Sequence, residues 1–323
     1  MAGNKGYLYT NGVIASISKK LINKDTFHKI IDATSLDNAI SIFNNTALVN
    51  SKKNNTVFEI NQLLDNELKN INNFLKRECP EDDFINYINC QYDYYNLENI
   101  YKSSLLKLNV NDNCFIEGNY TISKLNNCVI SNSYDDLNNK FIKKLFIEIN
   151  KIKDKLKNWA LIDFYFKSYC YKNLYEIVKK NKVLLKILKY KIDFQNICLS
   201  SRVSNFDDFK KNFIDNGSID LKVFEKFINE NKYSISNLDK VINNWIEILK
   251  LSNNDEKLRL FEKESNLIEL KVLSSYGEDI ESIIPFLKYY YKKLLEIKNL
   301  RMIFSLKSNN LNPFIKDRFL EVS

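Results

Sequence analysis

Residues 283–307 read IIPFLKYYYKKLLEIKNLRMIFSLK. Leu287, Tyr290, Leu294, Ile297, Leu300 and Phe304 follow one another at steps of three and four. That period lays them along one side of an α-helix as a single apolar stripe. Lys288, Lys292, Lys293 and Lys307 fall largely outside the stripe. Pro285 stands near the start, where a missing N–H costs little, and Asn309, Asn310 and Pro313 mark the end.

The same period extends outward over most of the chain. It predicts helices over 12–21, 25–31, 35–44, 57–77, 82–108, 134–159, 163–179, 183–200, 206–213, 221–229, 236–251 and 256–272. Ser35 and Ser236 are the expected N-caps. Strand-like alternation is weak. Its best candidate, 114–122, contains Gly118 and reads as a loop with an extended edge.

Composition agrees with an all-α fold. With only 6 Gly and 3 Pro in 323 residues, the chain lacks the turn residues of sheet-rich folds and the phosphate-loop glycines of doubly wound folds. Aromatics at 13% exclude disorder over most of the length. The formal net charge of +8 suits an anionic partner, but the lysines are dispersed and no block marks a nucleic-acid arm. Lys outnumbers Arg 43 to 5, and Asn is abundant, which we read as codon bias.

Catalytic chemistry finds few candidates. His28 is the single histidine. The six cysteines, Cys79, Cys90, Cys114, Cys128, Cys170 and Cys198, form no CxxC pair, so a zinc site is not expected. There is no GxxxxGK[ST] and no GxGxxG to cradle phosphates. The N-terminal residues carry no apolar signal region, and no apolar run reaches the length of about 18 that suggests a membrane span. Reduced thiols in a cytosolic protein are therefore the expectation.

One short pattern recurs: apolar, Asp/Glu, two residues, Asn, apolar. It occurs as Tyr92-Asp93-Tyr94-Tyr95-Asn96-Leu97, Ile192-Asp193-Phe194-Gln195-Asn196-Ile197 and Leu295-Glu296-Ile297-Lys298-Asn299-Leu300. The asparagines are spaced by 100 and 103 residues. The i, i+3 spacing puts carboxylate and amide on one helical face. Such a pair either ties its helix to a neighbouring loop or belongs to a partner-binding face. Just over 20 residues after the first two copies come Phe115-Ile116-Glu117-Gly118-Asn119 and Phe213-Ile214-Asp215-Asn216-Gly217. One supersecondary unit is thus used twice. Three similar helical domains follow, 1–125, 126–225 and 226–323, with Asn/Ser-rich boundaries and an expected pseudo-threefold symmetry.

In these motifs the chain resembles the C subunits of the V/A-type rotary ATPases, a family related to the d subunits of the eukaryotic V-type proton ATPase. Pro285-Phe286-Leu287-Lys288-Tyr289 followed by Glu296-Ile297-Lys298-Asn299-Leu300-Arg301-Met302-Ile303 is similar to the family block P-x-x-x-Y…E-I-K-N-L-R-x-I. Ile192 to Ile197 with Arg202 resembles I-D-L-x-N-I-x-x-x-x-R, and Tyr92 to Leu97 resembles Y-D-x-x-N-L-K. Ser35 to Ile40 with Thr46 is similar to S-L-E-E-A-L…T. Glu98 and Cys198 depart from the basic residues usual after the motif.

The resemblance implies a funnel of three helical domains on the cytoplasmic side of the membrane. It implies a peripheral, non-catalytic rotor subunit with no cofactor, metal or small-molecule substrate, and no nucleic acid. The implied partners are the D and F subunits of the central stalk and the membrane ring of c/K subunits. The implied role is coupling of proton or sodium transport to ATP turnover. Tyr92, Asp93, Asn96, Asp193, Asn196, Arg202, Glu296, Asn299 and Arg301 are the candidate structural or interface residues. A basic helical adaptor for another protein or a nucleic acid is the alternative.

Overall fold

The computed structural model describes residues 6–49, 53–109, 115–151, 159–230 and 239–321, and among them no strand forms. The helices, in chain order, are α1 (Tyr7–Ser18), α2 (Lys24–Asp32), α3 (Leu36–Asn44), α4 (Val57–Glu78), α5 (Asp82–Leu105), α6 (Ile122–Ser131), α7 (Lys140–Lys151) and α8 (Trp159–Val178). They continue as α9 (Lys182–Ser200), α10 (Phe206–Lys211), α11 (Leu221–Glu230), α12 (Lys240–Leu249), α13 (Asn254–Ser265), α14 (Ile268–Ser274), α15 (Ile284–Ser308) and α16 (Ile315–Arg318). The fold is all-α, as the period predicts.

The helices gather into two compact units, residues 1–81 with 251–323, and residues 82–250. The sequence suggests three domains with breaks at 125 and 225. Both positions fall inside helices, α6 and α11. The polar stretch near 126–133 is helical as far as Ser131, because Ile122, Leu125, Cys128 and Val129 give α6 a buried side that the intervening asparagines conceal. Thr121 caps α6, its Oγ1 accepting from the Lys124 N–H at 3.3 Å.

In the first unit, α15 is the central element and α1, α3, α4, α14 and α16 pack on it. Ile297, Leu300, Ile303 and Phe304 of α15 join Phe27, Ile30, Ile40, Phe43, Ile60 and Leu64 in one core. Phe43 meets Phe304 edge-on at 5.3 Å between ring centroids, a geometry favoured by the ring quadrupoles. Ser35 caps α3 by accepting from the Asn38 N–H at 3.1 Å. Ser236 lies outside the described residues; α12 is capped by Asp239 instead.

Two of the lysines outside the α15 stripe do not face solvent. Lys293 and Lys307 are buried, 7% and 4% exposed. Lys293 lies 2.9 Å from carboxylate oxygens of both Glu67 and Glu296. Lys307 donates to the carbonyls of Ile31 and Ala33, at 2.9 and 2.8 Å, where α2 ends. A lysine there satisfies orphan carbonyls and complements the negative end of the helix dipole.

In the second unit, α5 packs along α8, and α6, α7 and α9 complete that layer. Tyr134 stacks on Phe146 at 3.6 Å, and Phe146 meets Phe166 edge-on at 5.8 Å. Trp245 of α12 is fully buried against Phe194 and Tyr190 of α9. The expected helix over 134–159 is interrupted: a 3-10 turn, Asp135–Leu137, ends at Asn138 with φ 47°, a left-handed conformation that Asn tolerates. Residues 152–158 of that segment lie outside the described residues. The expected helix over 256–272 is divided at Asn266-Leu267 into α13 and α14.

Candidate functional site

The repeated motif occupies one place three times: the middle of a long helix that holds a loop by its backbone. In the second copy, on α9, Asn196 Nδ2 donates to the Ile214 carbonyl at 2.8 Å and Oδ1 accepts from the Ile214 N–H at 3.0 Å. One turn earlier, Asp193 Oδ1 accepts from Ser218 N–H at 2.8 Å and Ile219 N–H at 3.0 Å. Both side chains are fully buried. Burial pushes the Asp193 carboxyl up to about 6, against the pull of the Ile219 and Ser218 N–H groups.

In the first copy, on α5, Asn96 Nδ2 donates to the Ile116 carbonyl at 2.8 Å. Its buried Oδ1 has no hydrogen-bond partner among the described residues. Asp93 Oδ1 accepts from the N–H groups of Asn119 and Tyr120 at 2.9 and 3.2 Å, and Oδ2 accepts from Asn119 Nδ2 at 2.8 Å. Tyr92 is half-buried beside this pair.

In the third copy, on α15, Asn299 Nδ2 donates to the Leu320 carbonyl at 2.8 Å and Oδ1 accepts from its N–H at 3.0 Å. Glu296 Oε2 accepts from the Ile22 N–H at 2.6 Å, and Oε1 accepts from Lys293 Nζ at 2.9 Å. Burial raises the Glu296 carboxyl while Lys293 opposes the rise.

The copies share a finer register. Tyr120, Ile219 and Ile22 each stand two residues before the first residue of a helix, α6, α11 and α2 respectively. Each carboxylate therefore anchors the approach to a helix, and each asparagine anchors the loop before it. In the third copy the loop is shared between the two ends of the chain, Leu320 and Ile22. Sequence reasoning missed the Ile22 contact, because it pairs residues 274 apart.

Two glycines allow these approaches. A Cβ on Gly217 would lie 2.2 Å from Asp193 Oδ1, and one on Gly118 would lie 2.3 Å from the Asn89 carbonyl and 2.4 Å from Asp93 Oδ1. Only a residue without a side chain lets the loop come this close.

The two arginines stand apart from the ties. Arg301 donates to Asp65 Oδ1 at 2.5 Å, a largely exposed pair of small energetic weight. Arg202, at the end of α9, is exposed. Among the described residues no group of three His, Cys, Asp or Glu side chains converges to hold a metal, and no helix is long and apolar enough to cross a membrane.

In all three copies the buried carboxylate and amide bond to loop backbone and so hold the loop against its helix. The chain belongs to the ATP synthase (C/AC39) subunit family, whose model matches residues 10–316. It is accordingly one of the subunits of the V/A-type ATPases, in an accessory family that is generally non-catalytic. No curated protein matches the chain.

Proposed function

We propose that the chain is the non-catalytic rotor component that couples the D and F subunits of the central stalk to the membrane ring of c/K subunits. In this reading it stands at the periphery of the membrane, on the cytoplasmic face, and passes torque between ATP turnover and ion movement. The observation that carries the reading is the triple helix-to-loop tie, spread over a chain that matches the family along nearly its whole length. A part that transmits torque must hold its loops in fixed register, and buried hydrogen bonds of this kind do so. The equivalent positions Gln91 and Lys191, each two residues before its motif Asp, meet at 3.1 Å. The first two copies therefore touch at equivalent positions within the unit formed by residues 82–250.

The test is reconstitution. The full chain is mixed with purified D–F stalk and, separately, with detergent-solubilised ring, and is added to membranes depleted of this component. Binding to both and recovery of ATP-driven ion uptake are expected. Binding to neither, or uptake that is complete without the chain, overturns the proposal.

A further inference from the structure

Two asparagines in the chain are followed by glycine, Asn11 and Asn216. Asparagine is a thermolabile side chain, and a following glycine makes it most so, because that residue leaves its backbone nitrogen unhindered and free to turn toward the amide. The fold treats the two pairs in opposite ways.

Asn11 is 7% exposed, and its Nδ2 donates to the carbonyls of Ile280 and Ser282 at 2.7 and 2.9 Å. Gly12 follows it inside α1, where its N–H enters the helix ladder. Asn216 is exposed and stands in the connection between α10 and α11, at φ 72°. Among the described residues its side chain makes no hydrogen bond, and the Gly217 N–H donates to no acceptor. Two other asparagines in the left-handed conformation, Asn132 and Asn310, differ in this respect. Each lies just past a helix, and the N–H that follows is bonded: Ser133 to the Cys128 carbonyl at 3.2 Å, Leu311 to the Leu306 carbonyl at 2.8 Å.

The Asn216-Gly217 pair also abuts a buried anchor. A Cβ on Gly217 would lie 2.2 Å from Asp193 Oδ1, and the next two N–H groups, of Ser218 and Ile219, donate to that oxygen at 2.8 and 3.0 Å. In the first copy of the motif the residue before the glycine is Glu117, which carries no amide to lose.

We propose that Asn216-Gly217 is a site of deamidation in the folded chain, and that its isoaspartyl product frees the loop from Asp193. The Gly217 nitrogen attacks Asn216 Cγ, a C–N bond forms, and the side-chain nitrogen leaves as ammonia, taking the proton that the Gly217 nitrogen gives up. The resulting succinimide ring takes up one water. Opening at Cγ restores the ordinary backbone with an aspartate side chain. Opening at the backbone carbonyl carbon of Asn216 routes the chain through Cγ and leaves isoaspartate with a free α-carboxylate. One water enters and one ammonia departs, so no oxidant or cofactor is needed. The isoaspartyl route puts one more carbon into the main chain immediately before Gly217. The loop has no room for it, because Gly217 already lies against Asp193, and the added carbon moves the Ser218 and Ile219 N–H groups off the carboxylate.

The full chain is aged at physiological temperature in mildly alkaline buffer, once folded and once in guanidinium chloride. Isoaspartate is read by methyl transfer from labelled S-adenosylmethionine with an isoaspartyl-specific carboxyl methyltransferase, and peptide mass spectrometry assigns the position. In the unfolded chain both pairs should take label. In the folded chain label at Asn216 should exceed that at Asn11 by roughly tenfold or more, because Asn11 reacts only when α1 opens. Asn216→Gly has no amide and accepts the left-handed backbone, so it should abolish the label there without unfolding the chain. Hydrogen exchange at Ser218 and Ile219 should quicken in the aged wild type and stay slow in Asn216→Gly. No label at Asn216 in the folded chain, or label at Asn11 as strong as at Asn216, overturns the site. Label at Asn216 with unchanged exchange at Ser218 and Ile219 overturns the release of the loop. None of these readouts involves the stalk or the ring, so the coupling role stands or falls separately.

Discussion

Asn196 and Ile214 hold each other through two hydrogen bonds, one from the amide to the carbonyl and one from the backbone N–H to the amide oxygen. Both groups are buried, so losing the amide strands a donor and an acceptor together. Asn196→Leu should destabilise the unit formed by residues 82–250 by about 1–3 kcal/mol. Asn299→Leu should do the same for the other unit, and Asn96→Leu should cost less, because Asn96 makes only the donating bond. Urea unfolding of the full chain checks the ranking. Unchanged stability with failed assembly would instead make the motif an interface element.

Gly217→Ala places a methyl group 2.2 Å from Asp193 Oδ1 and should push the loop off its anchor, costing about 1–3 kcal/mol. Gly118→Ala meets a backbone carbonyl at 2.3 Å and should cost at least as much. Gly277→Ala meets nothing within 4 Å and should stay within about 0.5 kcal/mol of wild type. Thermal unfolding of the three variants side by side separates close approach from a general cost of replacing glycine.

Asp193 makes stability depend on pH with a defined sign. Its folded pKa of about 6 lies above the ordinary carboxyl value of 3.8, so between these values the folded state holds more proton than the unfolded one. The contribution is complete below about pH 4 and is lost as pH rises through about 6. Relative to Asp193→Asn, the wild type should therefore gain stability on going from pH 7 to pH 5, by about 1 kcal/mol. Denaturant melts of both proteins across that range give the difference. An equal slope in the two would remove Asp193 as its source.

Lys293 joins two carboxylates within the first unit, and burial would lower its pKa were those acids not there to raise it. Lys293→Met leaves Glu296 buried without its cation and should cost about 3–5 kcal/mol. Adding Glu296→Gln to Lys293→Met should return part of that loss, a coupling that a double-mutant cycle measures.

What is legible in the sequence is local. The i, i+3 spacing of Asp193 and Asn196 suffices to put both on one face of α9, and the stripe from Leu287 to Phe304 suffices for α15. Lys293 is unreadable for a physical reason: its burial depends on Glu67, which only folding brings beside it. Ile22 is unreadable as the partner of Glu296 because its N–H carries no side-chain signature. Helix α6 does carry a signal, the three-residue steps from Ile122 to Leu125 to Cys128, but the asparagines among them dilute it into the look of a linker. The contrast between the two Asn-Gly pairs requires knowing which asparagine ends buried, as Asn11 does against the carbonyls of Ile280 and Ser282.

The first unit is assembled from both ends of the chain, with α2, α3 and α4 packing around α15. On the ribosome this imposes a wait. Roughly 170 residues of the second unit must be synthesised between the halves, which at about 5–20 residues per second takes roughly ten to thirty seconds. Throughout that interval Phe27, Ile40, Phe43 and Ile60 lack the helix that covers them. The middle of the polypeptide can then finish before its beginning, whose apolar side chains stay uncovered until the last long helix emerges.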